Sequence, residues 1–418
     1  MINITDKTKC CGCSACVQRC PRQCISMKED EQGFLYPVID TAICIDCNLC
    51  EKVCPIFSPS ATKEPSQVLA AKNRNEEQRL RSSSGGIFIL LAEHIIEQGG
   101  VVFGASFNEK WEVEHCYAET IEELEPLMRS KYVQSNIGNT YKETEQFLKQ
   151  RRLVMFVGTS CQIAGLKRFL RKEYNNLLAV DFICHGVPSP GIWRKYLEEI
   201  KSSRSEAAEK KSFLSFPLKS VPVITGINFR EKQLGGYSWK KYGFEVRSKS
   251  PSKGDKNTVL KSGIFYENIF MRGFLSNLYL RPSCYKCTAK NGASGSDLTI
   301  ADFWGIQNYH PEFDDDKGVS AIFIQTSKGK NIIDNISSNI EIIESNFKKA
   351  TSKNPSYLHP VSVPLKYSYF WKILLKTDSL IVSVEKSIRM NIYERILDKI
   401  GHYFSMHIHS CFNYRHKK

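Results

Sequence analysis

Short apolar stretches alternate with polar, periodic ones along most of this chain, and their spacing predicts a mixture of strands and helices. Gly33-Phe34-Leu35-Tyr36-Pro37-Val38-Ile39-Asp40 alternates at period two and reads as a strand. Between Val68 and about Pro364, strand-like and helix-like segments succeed one another, as in an α/β or α+β domain. Val154-Met155-Phe156-Val157 is an apolar strand that runs into a small-residue turn and then a helix. Leu178-Ala179-Val180-Asp181-Phe182-Ile183 is a second buried strand ending in Cys184-His185-Gly186-Val187-Pro188. Near the C-terminus, Ile381, Val384, Ile388, Ile392, Ile396 and Ile400 recur at helical spacing. No run of eighteen apolar residues occurs, so a conventional transmembrane helix is not expected. Met1 to Asp6 has neither a basic nor an apolar signal region, which points to a cytoplasmic protein.

Cysteine placement adds the chemistry. Ten of the 16 cysteines lie at or before Cys54, and in a reducing compartment such density reads as metal ligation. Cys10, Cys13, Cys16 and Cys20-Pro21 form one C-x2-C-x2-C-x3-C-P run; Cys44, Cys47, Cys50 and Cys54-Pro55 repeat it 34 residues later. This is the ligation pattern of a two-cluster ferredoxin, in which the fourth cysteine of each run serves the other cluster. The expected sets are Cys10, Cys13, Cys16 and Cys54 on one 4Fe–4S cluster, and Cys20, Cys44, Cys47 and Cys50 on the other. A pair of zinc sites is the alternative, but zinc needs two cysteine pairs, not three even spacings and a Cys-Pro, twice. Cys11 and Cys24 fall outside the pattern and read as small core residues or spare thiols.

Further along, Arg81-Ser82-Ser83-Ser84-Gly85-Gly86 opens a helix and offers backbone amides to a phosphate, unless it is only a serine-capped helix start. Cys161 stands in the first turn of a helix, where a thiol pKa is lowered, as a ligand or reactive thiol. Cys284 and Cys287 are a C-x2-C pair that needs two more ligands. Cys161 and Cys184, both on turns after strands, complete a third 4Fe–4S site; a zinc knuckle or redox dithiol is the rival. His185 reads as a satisfied core histidine.

These motifs, in this order over roughly residues 1–310, resemble the family of coenzyme F(420) hydrogenase/dehydrogenase beta subunits, with an N-terminal two-cluster ferredoxin. The stretches that carry the likeness are Ser82–Gly86, Ser130-Lys131-Tyr132-Val133-Gln134-Ser135, Gly158-Thr159-Ser160-Cys161-Gln162, Asp181–Pro190, Cys284–Cys287 and Ser296–Gly305. The resemblance implies a bound FAD that exchanges electrons with the clusters and hydride with a deazaflavin or other organic acceptor. It places Ser83, Ser84, Gly85 and Gly86 near FAD phosphates, and Lys131, Tyr132, Gln134, Gly158 and Thr159 near the flavin. Two departures stand out: Ser160 where a proline is expected, and no arginine in Ala289–Gly295.

The expected architecture is α+β. Residues 1–57 form the ferredoxin domain, 58–66 a linker, 67–364 an α/β flavoprotein-like domain and 365–418 a basic helical tail. The net charge of +14 suits an acidic redox partner, whereas nucleic-acid binding is not expected, since no nucleic-acid module accompanies it. Ser248–Lys256 reads as a mobile loop. In 366–418 ten Lys+Arg face four Asp+Glu, so the tail is an amphipathic helix over the core or, more sharply, a peripheral membrane contact. The leading expectation is an iron–sulfur flavin-dependent oxidoreductase fed by a ferredoxin or other low-potential protein. The alternative is an electron-transfer subunit that docks on a catalytic partner.

Overall fold

The structure is a computed structural model that describes residues 1–209, 222–233, 235–249 and 257–389. The cysteine repeat is also a backbone repeat. Gly12 and Asp46, then Ser14 and Asn48, adopt positive φ at matching positions, and each loop runs into a short helix, Ala15–Arg19 or Leu49–Lys52. Between them lies a hairpin of β1 (Ile25–Glu29) and β2 (Leu35–Ile39). Its turn is fixed by Asp30, whose carboxylate accepts from the amides of Gln32 and Phe34 at 3.1 and 2.9 Å. The two-stranded sheet is all edge, so Pro37 interrupts no ladder on its far side.

The rest is built on β3 (Gln67–Asn73), β4 (Val101–Phe107), β5 (Val113–Ala118), β6 (Val154–Thr159), β7 (Leu177–Phe182), β8 (Val223–Glu231), β9 (Gly243–Lys249), β10 (Asn257–Ile264), β11 (Leu298–Asp302), β12 (Ser320–Ile324) and β13 (Ile340–Ser345). Eight of them form one mixed sheet in the order β13-β3-β12-β11-β7-β6-β4-β5, with β4, β6, β7 and β11 parallel at its centre. β6 is buried along its whole length, because helices cover both faces of a parallel sheet. Thr159 pairs with Phe182 at the end of the β6–β7 ladder, so both strands deliver their following turns to one sheet edge. The Ser296–Asp297 segment anchors the start of β11 against the middle of β7. Asp297 accepts from the Ala179 amide (2.8 Å) and the Thr326 hydroxyl (2.8 Å), and buried Asp181 accepts from Thr299 (2.5 Å) and Ser296 (3.0 Å).

A second sheet, β8-β9-β10, packs with the helices Pro190–Glu209 and Ile269–Leu275 around Trp193, Tyr196, Phe229, Phe244 and Phe270. Ser248 and Lys249, expected in a loop, instead end β9; residues 250–256 of that stretch lie outside the described residues. In the tail, the helices Tyr367–Thr377 and Leu380–Ile388 bury Phe370, Leu374, Leu380 and Val384 in the same aromatic core. Ile392, Ile396 and Ile400 lie outside the described residues. Among the described residues no helix is long and apolar enough to cross a membrane.

Candidate functional site

Three groups of four cysteines face three cavities. Cys10, Cys13, Cys16 and Cys54 line the first, with Ile2, Ile4, Met27 and Pro37. Cys20, Cys44, Cys47 and Cys50 line the second, with Pro21 and Ile39. Each set therefore takes its fourth cysteine from the other run. Cys161, Cys184, Cys284 and Cys287 line the third, beside His185, Lys290 and Arg281. The turns after β6 and β7 supply Cys161 and Cys184. The C-x2-C turn is brought alongside by backbone bonds from Ser189 to Tyr279 (3.0 Å) and from Arg281 to Val187 (3.0 Å).

The spaces between these thiols are about 330, 340 and 390 Å³, mouths included. Among the described residues no three Cys, His, Asp or Glu side chains gather closely enough to hold a single metal ion. Four thiols around each cavity match the four-cysteine ligation of a 4Fe–4S cluster. Burial pushes the Cys184 thiol up to about 12 and the Cys284 thiol well up. Thiolates crowded without a cation are costly, and a metal core supplies the missing charge. Cys161 departs from its expected low pKa: a hydrogen bond with Cys11, then burial, raises it and overrides the helix N-terminus. None of the described cysteines is in a disulfide.

Cys11 and Cys24 are more than core filling. Cys11 lines both the first and the third cavity, and the Cys24 sulfur lies 3.4 Å from that of Cys20 in the second. His185 is partnered, as its core reading requires, by Asn277 at 2.6 Å, yet it also borders the third cavity. Lys290, in the stretch that lacks the expected arginine, bonds the carbonyls of Cys184 and Ser356 at that cavity.

The residues expected around a flavin fall into two places. Ser83, Ser84, Lys131 and Tyr132 converge: the Ser83 hydroxyl accepts from the Ser130 amide at 2.8 Å, joining the two loops. The glycines of the turn are needed for packing. A side chain at Gly85 would meet the Ala71 carbonyl at 2.5 Å, and the Gly85 amide already donates to Ser320 (3.0 Å). Gly86, at φ +80°, starts the helix Ile87–Glu97. Gln134 and Thr159 lie elsewhere. Gln134 donates to the Cys11 carbonyl (2.9 Å), and Thr159 lines the third thiol cavity. There the Gln162 carboxamide oxygen accepts from the Thr159 amide (2.9 Å) and hydroxyl (3.0 Å), closing the first turn of the helix Ser160–Leu170. Gly158 leads into the same turn.

Sequence reasoning named Lys131 in the first place but missed two further cations there, Lys232 and Arg230. Lys232, 5% exposed, spends its ammonium on the carbonyls of Arg79 (2.8 Å), Ser84 (3.1 Å) and Lys317 (2.8 Å), with no carboxylate bound. Among the described residues Lys131 bonds only the carbonyls of Met128 (2.7 Å) and Arg129 (3.3 Å). Burial lowers both to about 7. Arg230 is buried between Tyr242 and Trp304 (4.5 and 5.3 Å), paired with Asp302, and its Nε and Nη2 have no partner. Trp239 stacks on Trp304 at 4.9 Å and donates to Asp302 (2.7 Å). Lys131 and Lys232, buried with no carboxylate bonded among the described residues, and the half-satisfied Arg230 fit a pyrophosphate-bearing group beside Ser83 and Ser84. Lone lysines and arginines carry no spacing signal that would have found them.

Two regions of the chain match known families. Residues 151–350 match the family model for the C terminus of the coenzyme F420 hydrogenase/dehydrogenase beta subunit, and residues 9–57 match a 4Fe-4S dicluster domain. The F subunit of F(420)H(2) dehydrogenase from Methanosarcina mazei is 24% identical over 191 residues, covering 42% of this chain and 53% of its own. Coenzyme F420-dependent sulfite reductase of Methanocaldococcus jannaschii is 24% identical over 177 residues, covering 41% of this chain and 27% of its own. The chain thus spans about half the length of the first relative and about a quarter of the second. A chain from the F420-reducing [NiFe] hydrogenase complex of Methanosarcina barkeri superposes with TM-score 0.41 at 14% identity, over 78% of this chain and 92% of that one.

Proposed function

With residues 151–350 belonging to the family of coenzyme F420 hydrogenase/dehydrogenase beta subunits and residues 9–57 forming a 4Fe–4S dicluster domain, we propose that the chain is a cytoplasmic iron–sulfur flavoprotein oxidoreductase. The observation that carries this is the third thiol quartet, which shares Cys11 with the ferredoxin unit on one side. On the other side His185 packs edge-on to Phe274 (5.3 Å), and Phe274 lies against Tyr132 (5.2 Å), beside the buried cations.

In this reading Cys10, Cys13, Cys16 and Cys54 hold one cluster, Cys20, Cys44, Cys47 and Cys50 a second, and Cys161, Cys184, Cys284 and Cys287 a third. Lys131, Arg230 and Lys232 meet the phosphates or ring carbonyls of FAD near Ser83, Ser84 and Tyr132. The clusters would supply one-electron carriers and the flavin the exchange with two-electron chemistry on a deazaflavin or other organic acceptor. The chain's own work is to keep the thiols buried, hold the aromatic bridge from His185 to Tyr132 dry, and neutralise the anion. Anaerobic purification with iron, sulfide and flavin measured on one sample tests it. Roughly twelve irons per chain with flavin support the whole reading, roughly eight remove the third cluster, and iron without flavin removes the enzyme.

A second reading, an electron-transfer subunit without a substrate of its own, is favoured by the relative named as part of a dehydrogenase. It expects flavin-free, iron-loaded chain that is inactive alone and co-purifies with a larger catalytic protein. An acidic low-potential redox protein is the electron donor that the +14 charge suits in either reading.

A further inference from the structure

We propose that Arg281 separates the two ferredoxin clusters in potential, making the one held by Cys10, Cys13, Cys16 and Cys54 the easier to reduce. This rests on the cysteine pairing given above and is independent of the flavin. Arg281 comes from the large domain yet reaches into the ferredoxin loop, and it is 1% exposed. Its Nε donates to the Cys10 carbonyl (2.7 Å), and its Nη2 to the Cys10 Sγ (3.5 Å) and the Leu35 carbonyl (2.8 Å). Its Nη1 donates to Gln134 (2.9 Å), which in turn holds the Cys11 carbonyl (2.9 Å). The guanidinium also lies 4.3 Å from the Tyr36 ring centre. Space for this fork exists only because residue 12 is glycine: a Cβ there would sit 2.8 Å from both Arg281 and Gln134.

No carboxylate pairs with Arg281 among the described residues, so its charge stays whole in a dry setting, against a cluster ligand. Reduction adds one negative charge to a cluster, and a fixed cation hydrogen-bonded to a ligating sulfur favours that form. Arg22 lines the other quartet's cavity but is exposed to water, and among the described residues no guanidinium there bonds a cysteine sulfur. Cys50 receives only the Ile2 amide (3.4 Å), and the nearby N-terminal ammonium is neutralised by Asp46 (3.3 Å) and Glu51 (2.9 Å). Cys47 is exposed to water, which screens what charge remains. The first electron taken up by the ferredoxin unit therefore resides, at equilibrium, on the cluster that Cys11 joins to the third cavity.

The test is a potentiometric titration of the full chain with dithionite as one-electron reductant, followed by electron paramagnetic resonance. A Cys284→Ser background leaves only the ferredoxin clusters, and iron is measured on each sample. Two waves are expected, and a Cys47→Ser change identifies the lower one by perturbing it alone. Arg281→Gln should move the higher wave to more negative potential and leave the lower in place. Arg281→Lys, which keeps the charge without the fork and is the milder change should Arg281→Gln fail to fold, should move it part of the way. A higher wave unmoved in both variants, or two waves moved equally, overturns the role of Arg281 while leaving the cysteine pairing intact. Protein that holds no iron overturns both.

Discussion

Removing the Lys232 ammonium should abolish part of the pH dependence of the cofactor-free protein's stability. Lys232 is 5% exposed and bonds three carbonyls but no carboxylate. Burial, then the charge of Arg230, lowers its folded pKa from 10.5 to about 7. The unfolded chain therefore binds the proton more tightly than the folded chain, and stability rises with pH between the two values. The full penalty is present below pH 7 and is gone above pH 10.5. The shift amounts to about 5 kcal/mol in all, and about 2 kcal/mol of it is recovered between about pH 7 and 9. Lys232→Met keeps the length of the side chain and removes the titration. Urea midpoints at about pH 7 and pH 9, for native chain and variant without flavin, measure the difference. The native chain should gain more on going to the higher pH than the variant does, and that excess should vanish when FAD is added, since a bound phosphate restores the lysine's charge. Equal pH dependence in the two proteins would refute the argument that this lysine lacks a counter-charge.

Other consequences are more local. Cys284→Ser should lower iron from roughly twelve to roughly eight per chain, read by iron analysis, and leave the ferredoxin absorbance in place. Trp193 is fully buried and donates to the Trp111 carbonyl at 2.6 Å; Trp193→Ala should cost about 3–5 kcal/mol in a denaturant titration. Gln162→Leu leaves the Thr159 amide and the Ser135 hydroxyl without their partner. It should cost about 1–3 kcal/mol in the same titration and weaken iron retention at the third site, which Thr159 lines.

Where the chain's chemistry is written as spacing, it was legible. The two C-x2-C-x2-C-x3-C-P runs name the cysteines that share each cavity, because a tight loop around a cube admits few spacings. The strands that lead to Cys161 and Cys184 were visible as apolar bursts, because a parallel strand buried on both faces has no polar side to interrupt it. The second sheet was not visible. Ile227, Phe229, Phe244 and Val246 owe their place to packing against helix residues such as Trp193 and Phe270, contacts that no local period records. The glycine-rich turn carries a second demand that the sequence did not show. Gly85 looks like a phosphate cradle, but its missing Cβ makes room for the Ala71 carbonyl of β3. The single cations Arg230, Lys232 and Arg281 were silent for the same reason: each acts on a group that the fold, not the sequence, brings near.

The placement of the third quartet follows from the sheet. Parallel neighbours must send their C-terminal turns to one edge, so a cysteine just past β6 and another just past β7 meet without any special loop. What such an edge cannot supply is the other half of the cage, since the next parallel strand, β11, ends in Asp302 instead of a thiol. The Pro282–Lys286 turn fills that gap, and it is held there by the Pro188–Leu280 bridge. The same short connection carries Arg281 in the opposite direction, into the Cys10 loop. One backbone pairing thus fixes both the far ligands of the third cavity and the cation of the first. A change that loosens the pairing should disturb the two cavities together, whereas one confined to the Cys44–Cys50 loop, which lines neither, should disturb neither.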